Sequence, residues 1–183
     1  MEFALLGWPP DGPTLRLDWE RFSYAGKFVM SATGKAVVRE GEPTDGEFDD
    51  HVLGAVAFNE DRTDAGALWL RYVTVREDRR GEGLGARLCA FTAARAEARG
   101  YERVRIAVNN PFAYEALYKA GFGFTGRETG LAELVLERPG DRSTDRYRGG
   151  LARFRERDLS ASERAFLDAR DEVPGTVATP TEN

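Results

Sequence analysis

The apolar positions fall into blocks with different periods. Residues 67–75 read Ala-Leu-Trp-Leu-Arg-Tyr-Val-Thr-Val, aromatic and β-branched without glycine or proline, and predict a strand. Leu84, Leu88, Phe91, Ala94 and Ala98 then recur at helical spacing and predict one apolar stripe of a long helix that Gly100 caps. Residues 103–108 alternate with period two, which turns Val104, Ile106 and Val108 inward. Asn110 is a candidate N-cap with Pro111 at the first helical position, opening a short helix that ends before Gly121. Residues 122–125 and 131–136 pair as a hairpin.

The N-terminal part is less regular. Residues 2–6 read as an edge strand or as an extension, and Pro9, Pro10, Gly12 and Pro13 force a turn. Residues 14–17 are expected to be the first strand, with further strands at 35–39 and 52–58. Between them Trp19, Phe22, Tyr24 and Phe28 supply a dense aromatic set, read as core or pocket wall. Residues 40–50 carry six Asp and Glu side chains and no basic one, an exposed loop. After Pro139 the composition changes. Tyr147, Leu151 and Phe154 follow helical spacing, although Gly149 and Gly150 count against that helix. Ser160 and Glu163 form a capping box for a second helix bearing Phe166 and Leu167.

Between the strand at 67–75 and the long helix lies Arg79-Arg80-Gly81-Glu82-Gly83-Leu84-Gly85-Ala86. A strand-to-helix turn this rich in glycine can aim several backbone N–H groups outward. The helix start adds its own unpaired donors and partial positive charge, so the junction suits an anion. A plain packing turn is one reading. A dinucleotide fingerprint is a second, since Gly81, Gly83 and Ala86 fit its spacing, but it needs an acidic residue closing the next strand. That strand ends in Asn109 and Asn110, with Glu102 at its wrong end, and the fingerprint fails.

The third reading rests on a resemblance. Arg80-Gly81-Glu82-Gly83-Leu84-Gly85, after a Val-x-Val strand and opening a helix, resembles the acyl-CoA loop of the GNAT superfamily of N-acetyltransferases. Asn110-Pro111-Phe112-Ala113, Leu117-Tyr118 and Gly121-Phe122 resemble that family's second signature, with the tyrosine displaced by one position. The resemblance implies an α/β (α+β) fold. Its central mixed, mostly antiparallel sheet is splayed at a CoA cleft and flanked by helices, and C-terminal helices follow here. It implies acetyl transfer from acetyl-CoA to a primary amine by direct attack in a ternary complex.

The implied cofactor-binding residues are Val73, Thr74, Val75, Arg80, Gly81, Glu82, Gly83, Leu84, Gly85, Ala86, Asn110 and Tyr118. Val73 and Val75 would offer main-chain groups to pantetheine, with Arg79, Arg80 and Arg87 near the phosphates and Glu82 turned outward. Tyr118 would be the catalytic acid at the sulfur, with Tyr114 as its rival. No general base is legible; His51, Glu60 and Asp61 are candidates by position alone. Residues 18–34 scarcely hold the two helices that the family places there, so the acceptor, whether small molecule, protein or peptide, is not carried over. The acidic loop at 40–50 is either a solvated tip or a lip attracting cationic acceptors. A non-catalytic acyl-CoA sensor and a partner-binding module stand as alternatives.

The remaining expectations are coarse. Residues 1–139 are read as the catalytic domain, 140–173 as a helical extension able to join a homodimer, and 174–183 as a disordered tail. A net charge of −5 speaks against nucleic acid. The single histidine, His51, allows no histidine-based metal cluster, and no metal is expected. The single Cys89 allows no internal disulfide and reads as a packed thiol. No signal peptide or membrane span is legible, so a cytoplasmic location is expected.

Overall fold

The computed structural model describes residues 1–182. Seven strands form one sheet in the order β1-β2-β3-β4-β5-β7-β6. They are β1 Glu2–Gly7, β2 Gly34–Arg39, β3 Val52–Glu60, β4 Ala67–Val75, β5 Arg103–Val108, β6 Gly123–Glu128 and β7 Leu134–Arg138. All neighbours are antiparallel except β4 and β5, joined through helix α1, Leu84–Ala98. Helices α2 Pro111–Lys119, α3 Thr144–Arg155 and α4 Ala161–Asp168 follow.

The sheet separates two cores. On the helical face Phe58, Leu68, Leu70, Leu88, Phe91 and Ile106 pack with both tyrosines of α2. On the other face Leu15, Leu17, Phe22, Ala25 and Phe28 cover Val37, Val52 and Ala55. That second layer contains no α-helix: the stretch before β2 is an irregular wrap with one short 3₁₀ turn, Ala25–Val29. The first strand is therefore β1, and residues 14–17, expected as a strand, lie in the second layer without sheet pairing, Leu15 N–H donating to the Phe28 carbonyl and the Arg16 carbonyl accepting from Asp49 N–H, both at 2.8 Å. Lys35, at 0% exposure, holds the wrap's end by donating to the carbonyls of Met30 (2.7 Å) and Thr33 (2.9 Å) and to the Thr33 hydroxyl. The helix α1 ends as its glycine predicts. Gly100 has φ 92°, and Tyr101 N–H reaches back to the Ala96 carbonyl at 3.2 Å.

The expected boundary at residue 139 does not divide the molecule. Tyr147, Leu151 and Phe154 of α3 and Leu167 of α4 are buried in the same core as β5 and α2. They are not free to join two subunits. Gly150, which weakened the helix reading, allows this packing: a Cβ there would stand 2.1 Å from the Tyr114 hydroxyl. Residues 174–182, expected to be disordered, lie against the domain instead. Val177 N–H donates to the Lys119 carbonyl at 2.8 Å, and Glu182 pairs with Arg95 at 3.3 Å and accepts from Leu5 N–H. The last residue of that expectation, Asn183, is outside the described residues. Among those, no helix is long and apolar enough to cross a membrane.

Candidate functional site

The site begins where β4 and β5 part. They are in register from Ala67 with Arg103 to Leu70 with Ile106 and no further. Beyond that point β5 stays paired to β7, while β4 runs on to Val75 beside β3 alone. A bulge helps: β3 pairs Phe58 with Leu70 but Ala57 with Tyr72, so Arg71 is the extra residue. The bulge exposes Arg71 and shifts the alternation by one. Val73 and Val75 thereby rejoin the helical face with Leu68 and Leu70, while Tyr72 packs on the opposite layer. Main-chain groups of residues 71–75 on the β5 side thus lack a neighbouring strand.

The gap is a slot through the sheet. A cavity of about 260 Å³ is lined by Cys89 and Leu117 from the helical face, Tyr24 and Tyr72 from the other, and Asn109, Asn110 and Glu133 at the rim. Tyr24, with rings 5.8 Å from Tyr72, sits at φ 61°, a left-handed conformation uncommon for a tyrosine. Cys89 is wholly buried, and burial pushes its thiol up to about 12.

A second groove, of about 640 Å³, continues along the helical face from Val75 past the glycine loop to α2 and α4. Gly81 (φ 85°) and Gly83 (φ 77°) adopt positive φ, and open space lies where a Cβ would stand at either. Gly83 is the N-cap of α1, so the N–H groups of Leu84, Gly85 and Ala86 have no partner within the helix. Arg79 is spent on Glu82 (2.9 Å) and Glu40 (3.4 Å), which also turns Glu82 out of the loop as expected. Arg80 has no carboxylate partner among the described residues; it donates to the Val75 carbonyl (3.3 Å) and the Ser23 hydroxyl (3.2 Å). Arg87 leaves the groove and stacks on the Phe3 ring at 5.0 Å. Open donors, two cations without a carboxylate partner among the described residues (Arg80 and Lys119) and glycines that leave room fit an extended ligand carrying a diphosphate.

The structure gathers Val73, Val75, Arg80, Gly81, Gly83, Leu84, Gly85, Ala86 and Asn110 around this continuous groove. Asn110 stands between the two cavities, its Oδ1 accepting from Ala113 N–H at 2.8 Å as a helix cap. Thr74 is not gathered with them. Its side chain is buried on the other layer with an unpartnered hydroxyl, so only its backbone can serve a ligand.

The expected proton donor requires correction. Tyr118 lies at 0% exposure behind α2, its hydroxyl accepting from Phe124 N–H at 2.8 Å, and it lines neither cavity. Tyr114, its rival, donates to the Tyr147 carbonyl at 2.8 Å and is equally buried. Burial raises both phenols above their ordinary range. The one-position displacement in the sequence explains this: on a helix one residue is a turn of about 100°. Leu117, not Tyr118, therefore faces the slot.

The three positional base candidates are also elsewhere. Glu60 accepts from Tyr101, Asp61 from Trp69 at 2.5 Å, and His51 lines neither cavity. Sequence reasoning missed Arg71, Tyr72 and Glu133. Nothing local marked Glu133, which reaches the slot only because β7 lies between β5 and β6. Tyr24 belonged to the aromatic set singled out at 18–30, where Phe22 and Phe28 proved to be core and Trp19 is 73% exposed.

A family model described as the acetyltransferase (GNAT) family matches residues 7–124. No curated protein matches the chain. Among solved structures it is similar to an N-acetyltransferase from Staphylococcus aureus Mu50, at 19% identity over 57% of this chain and 66% of that one, TM-score 0.47. Nourseothricin acetyltransferase is 16% identical over 74% of this chain and 95% of that one, TM-score 0.47. GCN5 of Tetrahymena is 16% identical over 62% and 72%, TM-score 0.47. The chain spans just under two thirds of the length of the Staphylococcus structure.

Proposed function

The chain belongs to the GNAT family of acetyltransferases, and on that premise we propose that it transfers an acetyl group from acetyl-CoA to a primary amine. The observation that carries this is the parting of β4 from β5 directly above the glycine loop. An extended pantetheine arm pairs with strand groups left free in this way, as a peptide does at a sheet edge. Backbone N–H groups of residues 81–86 and Arg80 hold the diphosphate at the start of α1. When bound, acetyl-CoA supplies an activated thioester.

The chain's own residues supply position and proton handling. Val73, Val75 and Asn110 direct the arm into the slot, and Leu117 and Cys89 give it an apolar floor. The amine approaches from the opposite layer, past the packed rings of Tyr24 and Tyr72 that line the slot there. An alkylammonium has a pKa of ~10.4 and must lose a proton before it attacks. Glu133 is the carboxylate among the described residues lining the slot, and we assign proton acceptance to it, directly or through water. With Tyr118 and Tyr114 turned into the core, a thiolate leaving the slot takes its proton from solvent or from Tyr24 or Tyr72.

The test is thiol release from acetyl-CoA against a panel of amines: polyamines, amino acids, aminoglycosides and peptides. Release above the hydrolytic background only with an added amine is expected. Binding of acetyl-CoA with no release across the panel would replace transfer by sensing, and absence of binding would remove the cosubstrate.

A further inference from the structure

The groove beyond the glycine loop ends at a feature that lies partly outside residues 7–124, the part matched by the family model. Phe112, on the first turn of α2, and Phe166, on α4, face each other with ring centroids 4.7 Å apart, and both line the groove. Phe112 is 45% exposed, a large apolar ring left open beside a cavity that also holds Arg80 and Lys119. Phe166 is fixed from behind. The Arg170 guanidinium lies 3.9 Å over its ring and reaches the Glu115 carboxylate at 3.4 Å. Glu115 is itself 5% exposed and accepts from the Tyr147 hydroxyl at 2.5 Å. The Phe166 ring is therefore anchored to the core through a half-buried ionic contact rather than left on a loose terminal helix.

We infer that the Phe112–Phe166 pair is a purine-stacking platform, by which the C-terminal helix α4 completes the cosubstrate groove and recognises the adenine end of the acyl carrier. The inference rests on the acyl-CoA reading above. A flat purine offers its π-face to an exposed ring, and such contacts are sequence-tolerant, apolar and short-ranged. Positive charge at Arg80 and Lys119 flanks the platform where a nucleotide's phosphates run.

Calorimetry with three thioesters tests it: acetyl-CoA, acetyl-dephospho-CoA and acetyl-phosphopantetheine, which lacks the adenylate with its purine, its ribose and one phosphate of the diphosphate. The wild-type chain is expected to favour the two purine carriers by at least about tenfold, of which base–aromatic stacking supplies a several-fold share that the ring variants remove. Phe112→Leu keeps apolar volume but removes the π-face, and Phe166→Ala removes the partner ring. Both should bind the two purine carriers several-fold more weakly while binding acetyl-phosphopantetheine as the wild type does, with Phe166→Tyr keeping the wild-type affinities. Unaltered discrimination in both variants, or an equal loss for all three ligands, overturns the platform. Wild-type binding of all three with one affinity overturns it while leaving the acyl-CoA reading intact. Binding of none overturns both.

Discussion

Replacing Tyr118 with phenylalanine separates a core tyrosine from a proton donor. The ring, packed 4.9 Å from Tyr114 and 4.8 Å from Tyr147, stays in place; only the hydroxyl is lost. That hydroxyl accepts from Phe124 N–H at 2.8 Å in a region closed to solvent, so a buried donor loses an acceptor. Leaving such a group unsatisfied costs ~1–3 kcal/mol, about 2 kcal/mol as a central figure. For a chain of this size each kcal/mol moves the melting temperature by roughly 2–4 °C, giving a drop of roughly 4–8 °C. Turnover of the folded fraction should stay within about twofold, because the hydroxyl lines neither cavity; a lost general acid would cost ~10²–10⁴-fold. Differential scanning calorimetry and steady-state thiol release on the same preparation measure both. A hundredfold fall in kcat at unchanged melting temperature would refute the placement of Tyr118 behind the helix.

Truncation after Pro139 removes Tyr147, Leu151, Phe154 and Leu167 from the core. At ~1.5–3 kcal/mol per buried side chain, the loss rivals the ~5–15 kcal/mol that holds a domain together. No cooperatively folded product is expected by near-UV circular dichroism. Gly83→Val places a β-branched residue at φ 77° beside the groove, and acetyl-CoA affinity should fall at least about tenfold, the effect exceeding that of Arg87→Ala, whose guanidinium lies outside the groove. Equal affinities by calorimetry would take the loop out of the site. Glu133→Gln should lower kcat by ~10²-fold or more near neutral pH, with the deficit shrinking as pH rises and the amine deprotonates itself; a pH-independent ratio would dismiss it as the base. Asp61 is held well below the usual carboxylate range, first by the Trp69 indole, then by Thr63 and Arg105. Its stabilisation is full above the unfolded value of ~3.9 and is lost as pH falls through the depressed folded value. Acid unfolding followed by far-UV circular dichroism should therefore be less steep below about pH 4 in Asp61→Asn.

The elements legible in the sequence were those whose signals are local. The glycine loop, the stripe of α1, the Asn110–Pro111 start of α2 and the Ser160–Glu163 capping box all act within one or two turns, and each stands where its residues put it. The same locality misled at Tyr118, where a motif one position out of step is one helical step of about 100°, enough to carry a hydroxyl from the slot into the core. The C-terminal helices stand where their spacing and capping box put them; their burial in the core was not legible, for a related reason. Gly149 and Gly150 argue against a helix when propensity alone is weighed. Only the approach of Tyr114 from another element makes the missing Cβ of Gly150 necessary. Glu133, Tyr72 and Arg71 meet at the slot through strand order and a β4 bulge, and Phe112 meets Phe166 through the packing of α4 on α2. The family and the glycine loop proposed to hold the diphosphate were thus written in contiguous residues. The side chains proposed to handle protons and the far wall of the groove depend on contacts between segments distant in the chain, which no local pattern encodes.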